Sequence, residues 1–349
     1  MIVNAFVNNR KALFSYVLYT YEKGLLRYIL CSIATISGGY MTQEYIYHLK
    51  EDDSNLHIFY IDYDLNDDNQ IIPMVRDFED ELFNDIPVFA FGETQIKKRI
   101  KNTGDILPIV REAMKKMYAI PEIQEARDFY SKASNEDKYF KRGEFGELLL
   151  YHMLHEYFGA QSLISKIHFR DSGGLPAHGF DAVHLNMDTR KLWLGEAKLY
   201  KDGSRAISAL AKDLTEHFNT NFFDSEFTII TNRYQDEHEE TPDFLKKLIS
   251  PNTKTLDKLV DINIALLAGF SSDVIANVPD DVSEEYIKNR LNNELILEAE
   301  KLKKKLDSDK SSHPWEKRLN VYLLLFPVKD KQEFVRKLHE KLKGAQMWI

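Results

Sequence analysis

The sequence predicts an α/β fold, a central mixed sheet flanked by helices, preceded by an α+β N-terminal region. Three observations carry that prediction. From Gly143 onward the element signals run helix, three strands, helix, strand and then further α/β units, the order of a sheet sandwiched between helical layers. Apolar runs such as Ile262 to Phe270 and Val321 to Phe326 are short and strand-like. At 349 residues, 44 % hydrophobic and 29 % charged, the chain has ordinary globular composition and the length of about two domains. We expect a division near 134/135. Residues 1–134 form the α+β region, with no assigned role beyond a possible partner surface, and 135–349 form the α/β domain with a C-terminal α/β extension.

Lys11 to Tyr28 has helical spacing in Leu13, Val17, Tyr21 and Leu25, although its aromatic content suits a hairpin almost as well. Leu56 to Ile61 is strand-like. The acidic run after it, with Asp62, Asp64, Asp67 and Asp68, lacks the glycine and the closing glutamate of a calcium loop and reads as a solvated loop. Lys97, Lys98, Arg99 and Lys101 form the densest basic cluster of this half, suited to a solvated helix face. Gly143 to Phe158 is strongly helical, with Leu150, Tyr151, Leu154 and Phe158 on one face. Strands are expected at Ser162 to Phe169, Phe180 to Leu185 and Lys191 to Leu199, with Asn186 to Arg190 as the hairpin turn between the last two. Ser204 to Phe218 reads as an amphipathic helix with Ser204 as its N-cap, and Ile207, Leu210, Leu214 and Phe218 inward. A strand is expected at Phe227 to Thr231, then helices at Asp243 to Ile249 and Leu256 to Val260. A long charged helix from Ser283 to about Leu306 and a final helix from Lys331 to Leu342 flank the last strand.

No apolar run reaches the ~20 residues of a membrane span, the N-terminus lacks a secretory pattern, and Cys31 is the lone cysteine. A cytoplasmic protein is expected. The formal net charge of −9 argues against a stand-alone tight DNA binder, because phosphate recognition usually shows a basic face. It leaves room for local or metal-dependent contact, or contact through a partner. No Gly-x-x-x-x-Gly-Lys-Ser/Thr is present, so no ATPase motor is expected.

The chemistry concentrates between Lys141 and Lys198. A strand repeats every two residues, so Glu196 and Lys198 share a face with Leu192 and Leu194. A face that is apolar twice and then charged twice describes a core opening into a site. Asp181 relates to Val183 and Leu185 in the same way. If the two strands form a hairpin, Asp181 and Glu196 stand on neighbouring strands, about 5–8 Å apart. Two carboxylates at that spacing, with the carbonyl of Ala197, are hard oxygen ligands suited to Mg²⁺ or Mn²⁺. Lys198 can then offset charge in phosphodiester hydrolysis. Glu147, on the helix face expected to pack on the sheet, is the further catalytic candidate, ahead of Glu144. His178, Lys201, Arg205 and Lys212 are candidate DNA contacts. His152 and His155 read as surface or boundary histidines. A strand-borne Glu-x-Lys alone is more often a surface ion pair; the joint order of helix Glu, strand, Asp strand and Glu-x-Lys strand favours a metal-dependent nuclease.

That order resembles the PD-(D/E)xK nuclease superfamily, with Asp181 as the lone Asp and Glu196-Ala197-Lys198 as the (D/E)xK. Phe180 stands where the usual proline would be. Gly143-x-x-x-Glu147 resembles the helix motif of the Holliday-junction resolvase and Mrr-like branches. More narrowly, Arg142 to Leu150, His178 to Val183 and Leu192 to Lys198 are similar to the HamA family of the Hachiman antiphage defence system, a resemblance that runs from about Lys141 to the C-terminus. It implies a restriction-endonuclease-like core and a DNA nuclease held by a superfamily 2 helicase partner until phage-related DNA is sensed. Two rivals remain: a catalytically silent subunit that regulates the helicase, and a restriction-type endonuclease, which would want a basic recognition domain.

Overall fold

The computed structural model describes residues 45–50, 55–117, 143–165, 179–218, 227, 242–250, 252–280, 282–310 and 313–348. The strands are β1 (Ile46–Lys50), β2 (Leu56–Ile61), β3 (Tyr63–Leu65), β4 (Ile71–Pro73), β5 (Gln161–Ser165), β6 (Ala182–Asn186), β7 (Lys191–Tyr200), β8 (Ile262–Ser271) and β9 (Asn320–Val328). The helices are α1 (Val75–Asn84), α2 (Ile86–Phe91), α3 (Glu93–Thr103), α4 (Leu107–Met117), α5 (Glu144–Phe158), α6 (Gly203–His217), α7 (Asp243–Ile249), α8 (Thr255–Leu259), α9 (Asp273–Ala276), α10 (Asn292–Lys310) and α11 (Lys331–Trp348). None of the described helices is long and apolar enough to cross a membrane.

Seven strands form one mixed sheet in the order β1-β2-β9-β8-β7-β6-β5. β7, β8 and β9 run parallel, while β6 and β5 return antiparallel as hairpins. The parallel centre is why Ile262 to Phe270 is apolar except for Asn263: a strand covered by helices on both faces has no solvent side. On one face, Leu192, Leu194, Ile264, Leu266 and Leu325 pack with Ile207, Leu210 and Leu214 of α6 and with Leu302 and Leu306 of α10. On the other face lie α5, α1 and α11. Trp193 packs, tilted, between Phe158 and Tyr322, each with ring centroids 4.7 Å away, and Phe326 meets Phe78 and Phe334. The expected α/β sandwich is therefore present, with a mixed sheet.

Several expectations change. β2 pairs in parallel with β9, Leu56 opposite Leu323 and Ile58 opposite Leu325, so the sheet crosses the boundary expected at 134/135. The compact unit that holds the sheet runs from Ile46 to Ile349. The acidic run holds the two short strands β3 and β4, joined through a turn in which Asn69 takes a positive φ of 58°. Asp202 caps α6 in place of Ser204: its carboxylate accepts the Arg205 N–H at 2.7 Å, and the helix starts at Gly203, two residues before a Ser204 cap would start it. The helix expected from Ser283 opens as a short turn at Glu284–Tyr286, passes through a π-turn at Ile287–Leu291 and only then becomes α10. Phe227 is helical and buried in the core instead of opening a strand, and the rest of that expected strand lies outside the described residues. So do Lys11 to Tyr28 and residues 166–169. His152 is a core histidine, 2 % exposed, with Nδ1 2.7 Å from Asp85 Oδ2; neighbouring His155 is half-buried against Glu156.

Candidate active site

The β6–β7 hairpin sets the site. Ala182 pairs with Gly195 and Val183 with Leu194, so Asp181, one residue before β6, stands across from Glu196. The turn that fixes this register is held by Asn186, whose side-chain Oδ1 accepts the Thr189 N–H at 2.8 Å, and by Arg190 at a positive φ of 56°. Asp181 Oδ2 accepts the Ala197 N–H at 3.0 Å, which ties the first carboxylate to the backbone of the Glu-Ala-Lys strand. Asp181 is 6 % exposed and Glu196 1 %.

Two buried carboxylates so placed repel. Burial and the charge of Asp181 push the Glu196 carboxyl up to about 8, against a hydrogen bond from His217 that works the other way. His217 Nδ1 lies 2.6 Å from Glu196 Oε1. Lys198 is paired with Asp213 at 2.5 Å. Burial alone would lower the Lys198 ammonium, but the Asp213 hydrogen bond and the charges of Asp213, Asp181 and Glu196 outweigh it and hold it above the usual lysine range.

α5 approaches from the opposite face of the sheet. Gly195 has no side chain because Leu150 of α5 fills the place: a Cβ there would lie 2.7 Å from Leu150 Cδ2. That close approach brings the first turn of α5, with Glu147 5 % exposed and Glu144 7 % exposed, to the end of β7. A cleft of about 1300 Å³ opens there, at the carboxyl ends of β7 and β8. Glu147, Asp181, Ala197, Lys198, Lys201 and Arg205 line it. Glu196 sits beneath, turned to His217. Lys212 is not part of the cleft wall; it is exposed and pairs with Glu216 at 3.5 Å. His178 lies outside the described residues.

The donor set fits a hard divalent cation. Asp181 and Glu196 offer carboxylate oxygens, and a divalent ion would offset both the burial and the Asp181 charge that raise the Glu196 carboxyl. Among the described residues no group of three His, Cys, Asp or Glu side chains is arranged for a metal, so further ligands would come from the Ala197 carbonyl and water.

Sequence reasoning missed Asp213 and His217, the two α6 residues that grip the Glu-Ala-Lys motif. A signal existed. They are four residues apart, and each directly precedes an inward residue, Leu214 and Phe218, which puts both on the flank of the buried stripe.

Comparison with curated proteins finds no match to the chain. A protein-family model does match, over residues 40–342, and so reaches about a hundred residues further toward the N-terminus than the motifs alone. That span takes in β1 and β2 as well as the hairpin, in keeping with a sheet that draws its strands from both ends of the chain. The chain belongs to the HamA family, a subunit family of the Hachiman antiphage defence system.

Proposed function

We propose that this HamA protein is a Mg²⁺- or Mn²⁺-dependent deoxyribonuclease, an endonuclease or nickase, that acts as the effector of its defence system beside a superfamily 2 helicase. The observation that carries the reading is the pair of carboxylates facing each other across the hairpin, Asp181 and Glu196, with Asp181 and Lys198 on the cleft wall and Glu196 buried directly beneath it. A bound divalent cation supplies Lewis-acid stabilisation of the phosphate and lowers the pKa of water. Asp181, Glu196 and the Ala197 carbonyl are the residues to hold it. His217 orients Glu196, as hydrogen-bonded partners orient ligating carboxylates elsewhere. Lys198, kept charged by Asp213, offsets negative charge on the phosphate oxygens as the attacked phosphorus gains its fifth bond. Glu147 adds a carboxylate from the α5 side of the cleft.

Lys201 and Arg205 on the cleft wall suit a DNA backbone. With a net charge of −9, stable engagement of DNA would fall to the helicase. The N-terminal part of the chain and α10 are the surfaces we assign to that partner.

Plasmid degradation by the purified chain tests the reading, with Mg²⁺, with EDTA, and with a Glu196→Ala protein alongside. Metal-dependent loss of plasmid that disappears in the variant is the expected result. Cleavage that survives in a folded Glu196→Ala protein removes the site assignment. No cleavage even with the helicase present leaves a regulatory subunit.

A further inference from the structure

The cleft extends beyond the carboxylates. Its far end lies across the carboxyl ends of β8 and β9, lined by Ser271, Lys301, Lys331 and Gln332. This is where the chain's connections diverge: β8 leads to α10 on one face, while β9 leads to α11 on the other. Adjacent parallel strands whose connections leave to opposite faces open a crevice at their carboxyl ends, the usual ligand position in open α/β sheets. Lys331 is fixed at that point, because its backbone N–H donates to Ser271 Oγ at 2.9 Å. Its side chain is only 5 % exposed and yet faces the cleft.

We propose that this far end is a phosphate subsite, in which Lys331 and Lys301 hold the backbone of the nucleic-acid strand whose scissile phosphate lies at Asp181 and Glu196; it rests on the nuclease reading above. The carboxylates around it are largely engaged. Asp202 caps α6, and Glu298 accepts the Ser272 hydroxyl at 2.6 Å while burial holds its carboxyl above the ordinary range. Asp273 remains as an opposing charge on the wall, and the charge of Asp330 acts on Lys331 itself. The first N–H groups of α11 are also taken, those of Gln332 and Glu333 by Asp330, so the anion is held by lysine side chains and not by the helix end. Burial keeps the Lys331 ammonium below the usual lysine range, a cost that an arriving phosphate offsets. Distance sets the register. Two strand spacings of ~4.8 Å separate β7 from β9, so the subsite takes a near neighbour of the scissile phosphate on the same strand.

The test uses the full-length chain carrying Glu196→Gln to block cleavage, with a fluorescein-labelled single-stranded oligonucleotide followed by anisotropy over a salt series. Adding Lys331→Gln should weaken binding several-fold, equally for different base sequences, and flatten the log affinity against log salt slope by ~0.7. A methylphosphonate walked along the oligonucleotide one phosphate at a time should erase the difference between the two proteins at a single position near the scissile one, and a difference that survives at every position overturns the subsite. If Lys331→Gln does not fold, Lys301→Gln, at an exposed position of the same wall, is held to the same criteria. Unchanged affinity and slope, in a protein whose wild type cleaves in a Glu196-dependent way, overturn the subsite alone. Absence of both DNA binding and Glu196-dependent cleavage, with the helicase included, overturns the nuclease reading and the subsite together.

Discussion

Glu196 couples the candidate chemistry to stability. Its carboxyl is pushed up to about 8 from an ordinary 4.5, so the folded chain retains a proton that the unfolded chain has released. That stabilisation is full below pH 4.5 and is lost as pH rises through 8. It amounts to a few kcal/mol, at ~1.4 kcal/mol per pKa unit. Glu196→Gln cannot titrate, so its Tm advantage over wild type should widen from about pH 5 to pH 8 when Tm is measured without metal. Mg²⁺ at pH 8 should raise the wild-type Tm and leave the variant unmoved. A difference in Tm that stays flat with pH would remove the apposed-carboxylate account. His217→Ala should cost about 1–3 kcal/mol by taking the hydrogen bond from a buried carboxylate, read as a fall in urea midpoint. Asp181, Glu196 and Lys198 were legible because a period of two and a short hairpin place them without any tertiary information. Asp213 and His217 were not. Their contacts depend on how the β7–α6 turn rotates the helix over the sheet, and that rotation is set by packing.

At the scale of elements, the hairpin and α5 form one positioning device. The sequence located the hairpin to within about a residue or two, since short apolar runs and the Asn186 to Arg190 turn are local signals. The depth at which α5 docks was invisible, because it depends on Gly195 meeting Leu150 across the fold. Gly195→Ala puts a methyl against Leu150 in a filled core, which costs ~1–3 kcal/mol. It should also lift the first turn of α5, and Glu147 with it, from the cleft. The expected outcome is a lower Tm together with a reduced kcat for plasmid cleavage, partly recovered by Leu150→Val. A variant with wild-type Tm and rate would mean that α5 does not need this contact. The cap of α6 gives a smaller effect. Asp202→Ala should cost ~1 kcal/mol, whereas Ser204→Ala at the cap expected from sequence should be nearly silent.

The whole molecule is governed by pairings that join the ends of the chain. β2 and β9 are more than 250 residues apart, and only after they pair does the sheet become continuous from β1 to β5. Local periodicity identified both strands and gave no means of pairing them, so composition and the nuclease motifs suggested a boundary at 134/135 where the sheet has none. The difference is measurable. A fragment of residues 135–349 keeps Asp181, Glu196 and Lys198 but loses β1, β2 and α1 to α4. It exposes the edge of β9, a run of Leu323, Leu324, Leu325 and Phe326 in which none is more than 2 % exposed in the full chain. It also uncovers Phe326 and Phe334, which lose the ring of Phe78. An unpaired apolar strand edge is an aggregation template, and removing Phe78 from a filled core alone costs about 3–5 kcal/mol, a large part of the ~5–15 kcal/mol that holds a domain folded. The fragment should therefore be insoluble or unfolded by circular dichroism despite carrying the complete proposed site. A soluble 135–349 fragment with a cooperative melt would show that the part carrying the proposed site folds alone and that β1 and β2 are an accessory to it.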